Sequence, residues 1–425
     1  MGIELYSKWS CNDRGKALYT LSGVDTRRWY QRDIDQITHS IGFRKLQRKS
    51  QLLSEKDPRS RSRLIHTIEV SRIAMEISER LGLNKELTEA ISLGHDIGTS
   101  PYGCIGNKFL QNKVDSEFSH ELVGSEMLAW IAKKEILNDD EKTAKIEAVL
   151  DESNDSIVEK SDNCDFSLKV SRCTDDSGDR YFVHHISPEI LDGVLNHGDK
   201  GKPGTLEGQV VKFADNIAYI SQDIEDLLSA GIMQKRYFIG NAQKPLVFES
   251  RSSDKITKTW DEINSYTKNS PLNSAFSETR GKRIAAFVNR FVEYNLNLLE
   301  DEKKLKYYKS TVLNIDIPEL QYDDGLSFII DFLWHHIESY YNNTLIKTSN
   351  EIQTTKMMQL WDILDDGRIK CYRNFIKERS NYTQFSKYDE NWKKAYFISN
   401  LSWQEIDLII ESYHERNYNF DLDLD

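Results

Sequence analysis

Apolar residues recur at helical spacing along most of the chain, and at strand spacing only in short pieces. Leu64, Ile68, Ile73, Ala74, Ile77 and Leu81 form one stripe closed by Gly82, which predicts a long helix ending there. Asp57-Pro58-Arg59-Ser60 ahead of it reads as a loop and helix start. Leu87, Ala90, Ile91 and Leu93 predict a short buried helix running into Gly94-His95-Asp96-Ile97-Gly98. The two glycines there are expected to let the backbone turn tightly around the His-Asp pair. Upstream, Ile34, Ile37, Ile41 and the Phe43/Leu46 pair keep helical spacing. Further helices are expected from Phe118-Ser119-His120-Glu121 onward, from Pro188, and from Leu206 to about Ala230. Others are expected around Ile284 to Val292, Leu326 to Tyr341, Ile352 to Leu364 and Trp403 to Tyr413. Strand-like pieces are few: Leu246 to Phe248, Thr311 to Ile317, and a hairpin of Phe166 to Val170 with Tyr181 to Val183. The expected class is all-α, a helical core with additional C-terminal helices and minor short strands.

The punctuation between these stripes divides the chain. Residues 1–60 read as an N-terminal arm and basic helix. Residues 61–235 read as the core, interrupted by a charged 133–183 insertion with one short helix (Ala144 to Leu150). Residues 236–425 read as a helical C-terminal region. An insertion of that length is expected to be functional or disordered. Thr99 to Asn107, rich in Gly and Pro, reads as a loop walling the His-Asp turn. Arg44, Lys45, Arg48 and Lys49 follow one another closely. They read as a solvated helix face, or as a contact surface for a partner.

Net charge over the 425 residues is -12. The whole-chain balance therefore favours no polyanionic partner, although a local basic groove stays open. Five cysteines form no tight framework and read as free thiols; Cys164 and Cys173 are too few and too far apart for a metal knuckle. No run approaches the roughly twenty apolar residues of a membrane span. The N-terminus lacks the regions of an export signal. The expectation is a soluble cytoplasmic protein with no membrane partner.

Chemistry concentrates in a few residues. Adjacent His95 and Asp96 at a helix end can face one metal ion. His66 lies upstream on the amphipathic stripe. Asp215 lies downstream among Val211, Phe213, Ala214 and Ile217, on a helix face that should be buried, where a carboxylate needs a charge partner. His66, His95, Asp96 and Asp215 make a mixed nitrogen and oxygen set suited to one divalent Mn, Fe, Zn or Co ion, and less strongly Mg. Arg63 shares a face with His66 and is a natural clamp for phosphate oxygens. Asp215, Tyr219 and Asp223 are four apart and line one face of a helix, reading as the wall of a polar pocket. Arg44 and Gln47 sit just ahead of the ligand-bearing helix.

The order His66 … His95-Asp96 … Asp215 resembles the HD superfamily signature. Longer pieces resemble the deoxyguanosine triphosphate triphosphohydrolase family: Arg32 to Asp35, Phe43 to Gln47, Arg63-Leu64-Ile65-His66-Thr67-Ile68-Glu69-Val70, Phe118-Ser119-His120, and Leu206 to Asp223. The resemblance spans roughly residues 28–300. It implies an HD-domain helical core in which His66, His95, Asp96 and Asp215 bind the metal and Arg63 meets the phosphates. It implies that Gln47 sits near the sugar, that Tyr219 and Asp223 help recognise the deoxyribose end, and that His120 lies beside the triphosphate. The chain departs from the family's pattern at Thr99 and Cys104, where relatives have histidine, and at Asn107, where they have a carboxylate. Cys104 and Asn107 thus occupy the positions of the family's protonating pair.

The activity implied is metal-dependent hydrolysis of a deoxynucleoside triphosphate to deoxynucleoside and inorganic triphosphate. The alternative is a weakened or inactive sensor or regulatory subunit that binds a deoxynucleotide or nucleic acid. The family also implies a homo-oligomer, commonly a hexamer, sometimes with single-stranded nucleic-acid sites.

Overall fold

In the computed structural model the described residues are 10–11, 16–17, 28–51, 61–115, 117–137, 172–174, 180–182, 186–233, 246–249, 255–258, 275, 279–300, 302–340, 344–380, 385–420 and 422. Polar side chains start the helices that carry the core. Ser40 caps α2 (Ile41–Lys45) after α1 (Trp29–His39), and Ser62 caps α3 (Arg63–Leu81). Asn84 caps α4 (Lys85–Gly94) by accepting from Glu86 N and Leu87 N. Each such oxygen satisfies a backbone N–H that the first helical turn leaves orphaned. Then follow α5 (Gly103–Lys113), α6 (His120–Leu137), α7 (Pro188–Asn196) and α8 (Leu206–Ser229), the last capped by Thr205.

The stripe on α3 buries Val70, Ala74, Ile77 and Leu81 against α4 and α8. Helix α4 also packs on α1 and α7, and α6 packs on α7. α9 (Arg280–Glu300) closes over α8 with Phe287, Val288 and Phe291 fully buried. The fold is predominantly α-helical, as the stripes imply. The C-terminal helices are α10 (Asp324–Tyr340), α11 (Thr344–Asp365), α12 (Lys370–Arg379), α13 (Glu390–Ser399) and α14 (Trp403–His414). Helix α11 packs on α5, and α13 packs on α5 and α6. No helix among the described residues is long and apolar enough to cross a membrane.

Strands are short. β1 (Lys16–Ala17) runs parallel to β3 (Arg180–Phe182), and β2 (Arg172–Thr174) pairs antiparallel with β3, Cys173 opposite Tyr181. The expected strand Phe166 to Val170 lies outside the described residues. β4 (Leu246–Glu249) pairs with β5 (Lys255–Lys258), and β6 (Tyr307–Lys309) with β7 (Asp316–Pro318). Thr311 to Ile317 is thus mostly a hairpin turn, closed by Ser310 N donating to Ile315 O at 2.8 Å. The predicted helix at Ala144 to Leu150, and Asp57 to Ser60, lie outside the described residues; α3 itself starts at Arg63.

Three expectations change. Gly103 to Asn107 is the start of α5, not loop. Gly94 and Gly98 do not turn the chain through left-handed backbone, since neither has positive φ. Gly98 is small because α6 crosses it: a Cβ there would stand 2.2 Å from Gly124 N and from His120 O. Finally, the basic run is not one solvated face. Arg44 and Arg48 are exposed, but Lys49 is 1% exposed. Its ammonium donates to the carbonyls of Ile97 (3.3 Å), Thr99 (2.6 Å) and Ser399 (2.9 Å). Lys45 reaches Asn400 O and Glu405. These lysines tie the His-Asp turn and its neighbours to α13 and α14.

Candidate metal centre

Four ionisable side chains converge where α3, α4 and α8 meet. His66 sits one turn into α3, His95 caps the end of α4 with Asp96 next, and Asp215 projects from α8. Ligand atoms of His66, His95 and Asp96 all lie within 4.8 Å of one another. Asp215 Oδ1 is 2.9 Å from His66 Nε2 and 3.9 Å from His95 Nε2. The two histidines and Asp96 are each 1% exposed, while the Asp215 side chain is 28% exposed.

The outer nitrogens of both rings are fixed. His66 Nδ1 donates to Gln222 Oε1 at 2.7 Å, and His95 Nδ1 to Ser92 O at 2.6 Å. Each bond leaves Nε2 facing inward, as the lone-pair nitrogen of His95 and, once a cation displaces the proton that it shares with Asp215, of His66 too. Gln222 is held in turn by donating to Glu69, which with Glu225 engages Arg61 and Arg280. His95 Nε2 is buried with no hydrogen-bond partner. A buried nitrogen aimed at two carboxylates and left without a donor is costly, and a divalent cation satisfies it. The donor set fits such an ion: His66, His95 and Asp96 offer two imidazoles and a carboxylate within 4.8 Å of one another, with the Asp215 carboxylate beside His66.

Charge is arranged accordingly. Burial alone would raise the Asp96 carboxyl, but Arg63, His95 and His66 outweigh it and hold it well below the usual range. Burial likewise opposes ionisation of Asp215, and the bond from His66 reverses that, so Asp215 is also depressed. Burial pushes His95 down to about 4, leaving a neutral ring. Burial also opposes charge on His66, but its bond to Asp215 raises it.

Arg63 Nη1 donates to both Asp96 oxygens, at 3.2 and 3.1 Å, and Thr99 Oγ1 donates to Asp96 Oδ1 at 2.5 Å. Arg63 Nη2 lies 3.8 Å from Cys104 Sγ. Asn107 Oδ1 accepts from Ser100 N at 2.9 Å, so its amide secures the turn into α5. Tyr219, half-buried, and Asp223, fully buried, follow Asp215 at one-turn intervals on α8. The His120 ring reaches the centre through His197, whose ring meets both His120 and His95 edge-on. Arg44 and Gln47 are exposed; among the described residues neither hydrogen-bonds to the ligand set.

An HD domain model matches residues 63–220, a span that contains all four ligand candidates. The chain is 31% identical over 293 residues to a deoxyguanosinetriphosphate triphosphohydrolase-like protein of Clostridium perfringens, covering 66% of this chain and 71% of that relative. The chain belongs to the HD-superfamily deoxyguanosinetriphosphate triphosphohydrolase-like family. A second such relative, from Clostridium tetani, is 30% identical over 306 residues, covering 68% of this chain and 73% of its own. A third, from Caldanaerobacter subterraneus subsp. tengcongensis, is 33% identical over 233 residues, and there the match spans only 55% of each chain.

Within this HD-family site, sequence reasoning missed Gln222, Ser92, Glu69 and His197. Helix spacing carried a signal for two of them. Gln222 lies two turns beyond Asp215 and Glu69 one turn beyond His66, so both share a ligand's face.

Proposed function

We propose that the chain is a metal-dependent triphosphohydrolase that cleaves a deoxynucleoside triphosphate to a deoxynucleoside and inorganic triphosphate. The observation that carries this reading is the buried group of His66, His95 and Asp96, with Asp215 and Arg63 beside it, in a chain whose relatives are named deoxyguanosinetriphosphate triphosphohydrolase-like. When bound, the metal (Mn, Mg, Fe, Zn or Co) supplies positive charge at a phosphoryl oxygen and activates water. Arg63 offers its guanidinium fork to the phosphates, already oriented by Asp96. Asp215, the most open ligand, marks the side from which substrate enters. Tyr219 and Asp223 continue that wall toward the deoxyribose, and Gln47 and Arg44 complete its outer side. His120 lies on the phosphate side.

Attack at the α-phosphorus releases the nucleoside 5′-oxygen, which must take up a proton. Asn107, engaged with Ser100 N, has none to give. The Cys104 thiol does, and the adjacent Arg63 would hold the thiolate left behind. Engagement of Asn107 with the backbone is also what favours the second reading, a deoxynucleotide or nucleic-acid sensor with little turnover. Assembly into a homo-oligomer, hexameric by resemblance, and contact with single-stranded nucleic acid belong to the same proposal. So does the division into an arm (1–60), a site-bearing core (61–235) and a C-terminal region (236–425).

Product analysis decides between the readings. The Mn2+-loaded protein is incubated with each dNTP and with all four together, and products are read by mass spectrometry. Deoxynucleoside plus triphosphate is expected, absent in Asp215→Ala and slowed by about 10²–10⁴ in Cys104→Ala. Silence with every dNTP, together with retention of one nucleotide, would replace the hydrolase with the sensor.

A further inference from the structure

The buried Lys49 lies where three parts of the chain meet. Its carbonyl accepts from the backbone N–H of Arg63, the first residue of α3, at 2.8 Å. Its ammonium donates to Ile97 O at 3.3 Å, Thr99 O at 2.6 Å and Ser399 O at 2.9 Å. An ammonium has three N–H donors and no acceptor, so three carbonyls occupy all of them. Ser399 is the last residue of α13, and the C-terminal end of a helix carries partial negative charge that favours a cation. Lys45 Nζ joins it there, donating to Asn400 O at 3.0 Å.

Arg63 and Thr99, whose side chains both bond Asp96, are each tied to this lysine. Arg63 Nη1 donates to the two Asp96 oxygens, and its backbone N–H is the one that Lys49 O accepts. Thr99 Oγ1 donates to Asp96 Oδ1, and its carbonyl takes the shortest of the three ammonium bonds. The backbone of Lys49 thus holds the start of α3, and its ammonium holds the turn that follows Asp96. A methionine here would keep the chain length and the backbone bond to Arg63. It would leave three carbonyls without this donor, and a buried acceptor left unpaired is costly. The ammonium alone therefore separates the hold on Thr99 from the hold on Arg63.

We propose that Lys49 is a positioning residue for Asp96, acting through Thr99, and that through it the end of α13 sets the geometry of the His-Asp turn. Lys49 touches neither ion nor substrate in this role. It fixes where the Thr99 hydroxyl stands, and the hydroxyl fixes one Asp96 oxygen. The C-terminal region thereby takes part in the site from a residue 350 positions away from Lys49 in the chain. The proposal rests on the reading of His66, His95, Asp96 and Asp215 as a metal centre only for its affinity readout.

The test compares full-length wild type with Lys49→Met, Thr99→Val and the double variant. Mn2+ affinity is measured by equilibrium titration, and urea midpoints report separately on stability. Each single change is expected to weaken Mn2+ binding by about 10–100-fold. The double variant should bind no more weakly than the weaker single one, because both changes cut the same route. Losses that multiply in the double variant overturn the proposal. So does wild-type affinity in either folded single variant, even with a lowered urea midpoint, since packing alone would do that. Where Lys49→Met loses the wild-type circular dichroism, Lys49→Gln, with N–H donors on a shorter arm, replaces it under the same criteria. A second readout needs no metal. The Arg63 side-chain N–H signal, assigned by its loss in Arg63→Lys, is followed by nuclear magnetic resonance in the metal-free protein. It should shift in both single variants, because Asp96 accepts from Arg63 and Thr99 together. If wild type binds no Mn2+, the metal reading falls and this signal decides. Displaced in both variants, it upholds Lys49 as the residue that positions Asp96; unchanged in either, it overturns that role.

Discussion

At the scale of single residues, the candidate centre depends on side chains outside the set that would hold an ion. As a candidate ligand His66 needs its Nδ1–H occupied, and Gln222 occupies it. Gln222→Leu keeps the bulk and removes the acceptor. Mn2+ affinity is expected to fall by about 10–100-fold, read by equilibrium titration, with the melting temperature reporting separately on the fold. Unchanged affinity would show that His66 is oriented by packing alone. The contrast with the candidate ligands explains what could be read from the chain. His66, His95, Asp96 and Asp215 stand out because ionisable groups in apolar stripes need a reason to be there. Gln222 and Ser92 are ordinary polar residues in type. Ser92 acts through its backbone carbonyl, which no sequence displays.

At the scale of elements, the His-Asp turn is positioned by how closely α6 crosses it. Gly98→Ala would drive a Cβ into Gly124 N and His120 O, backbone atoms that cannot rotate away. The expected loss is about 3 kcal/mol, measured by urea unfolding. A matched control is Gly281→Ala at the start of α9, where an added Cβ meets nothing within 4 Å. That change should leave stability unaltered or raise it by about 0.5–1 kcal/mol. Long stripes such as those on α3 and α8 were legible because one face is apolar and the other polar. Helix α5 was hidden by Gly103 and Gly106, which read as loop. In α13, buried Trp392, Ala395, Tyr396, Phe397 and Ile398 cover several sides of the helix, so no single stripe emerges. Helix α12 hides for the opposite reason: Arg379 is buried, its guanidinium over Phe375 at 3.9 Å and over Trp130 at 4.8 Å, a role that a charged residue does not advertise.

At the scale of the whole molecule, polar groups join segments far apart in the chain, which is why their pairing was not legible. Lys49 and Ser399 are 350 residues apart, and burial, followed by Lys45, pushes the Lys49 ammonium down to about 7. The same kind of junction predicts a pH dependence of stability. Glu126 of α6 is buried 262 residues from its partner Tyr388, whose hydroxyl donates to it. Burial pushes this carboxyl up to about 8, the Tyr388 bond offsetting only part of the rise. The folded chain therefore keeps the proton at a pH where the unfolded chain, with an ordinary carboxyl near 4.5, has released it. Because the folded state binds more protons in that window, stability falls as pH rises from about 4.5 to about 8. Below the window both states are protonated and the contribution is complete; above it the contribution is gone. Glu126→Gln keeps a neutral side chain at every pH and should remove this slope. Urea midpoints measured across the window should then diverge, the variant gaining on wild type as pH rises. Parallel profiles for the two proteins would place the proton elsewhere.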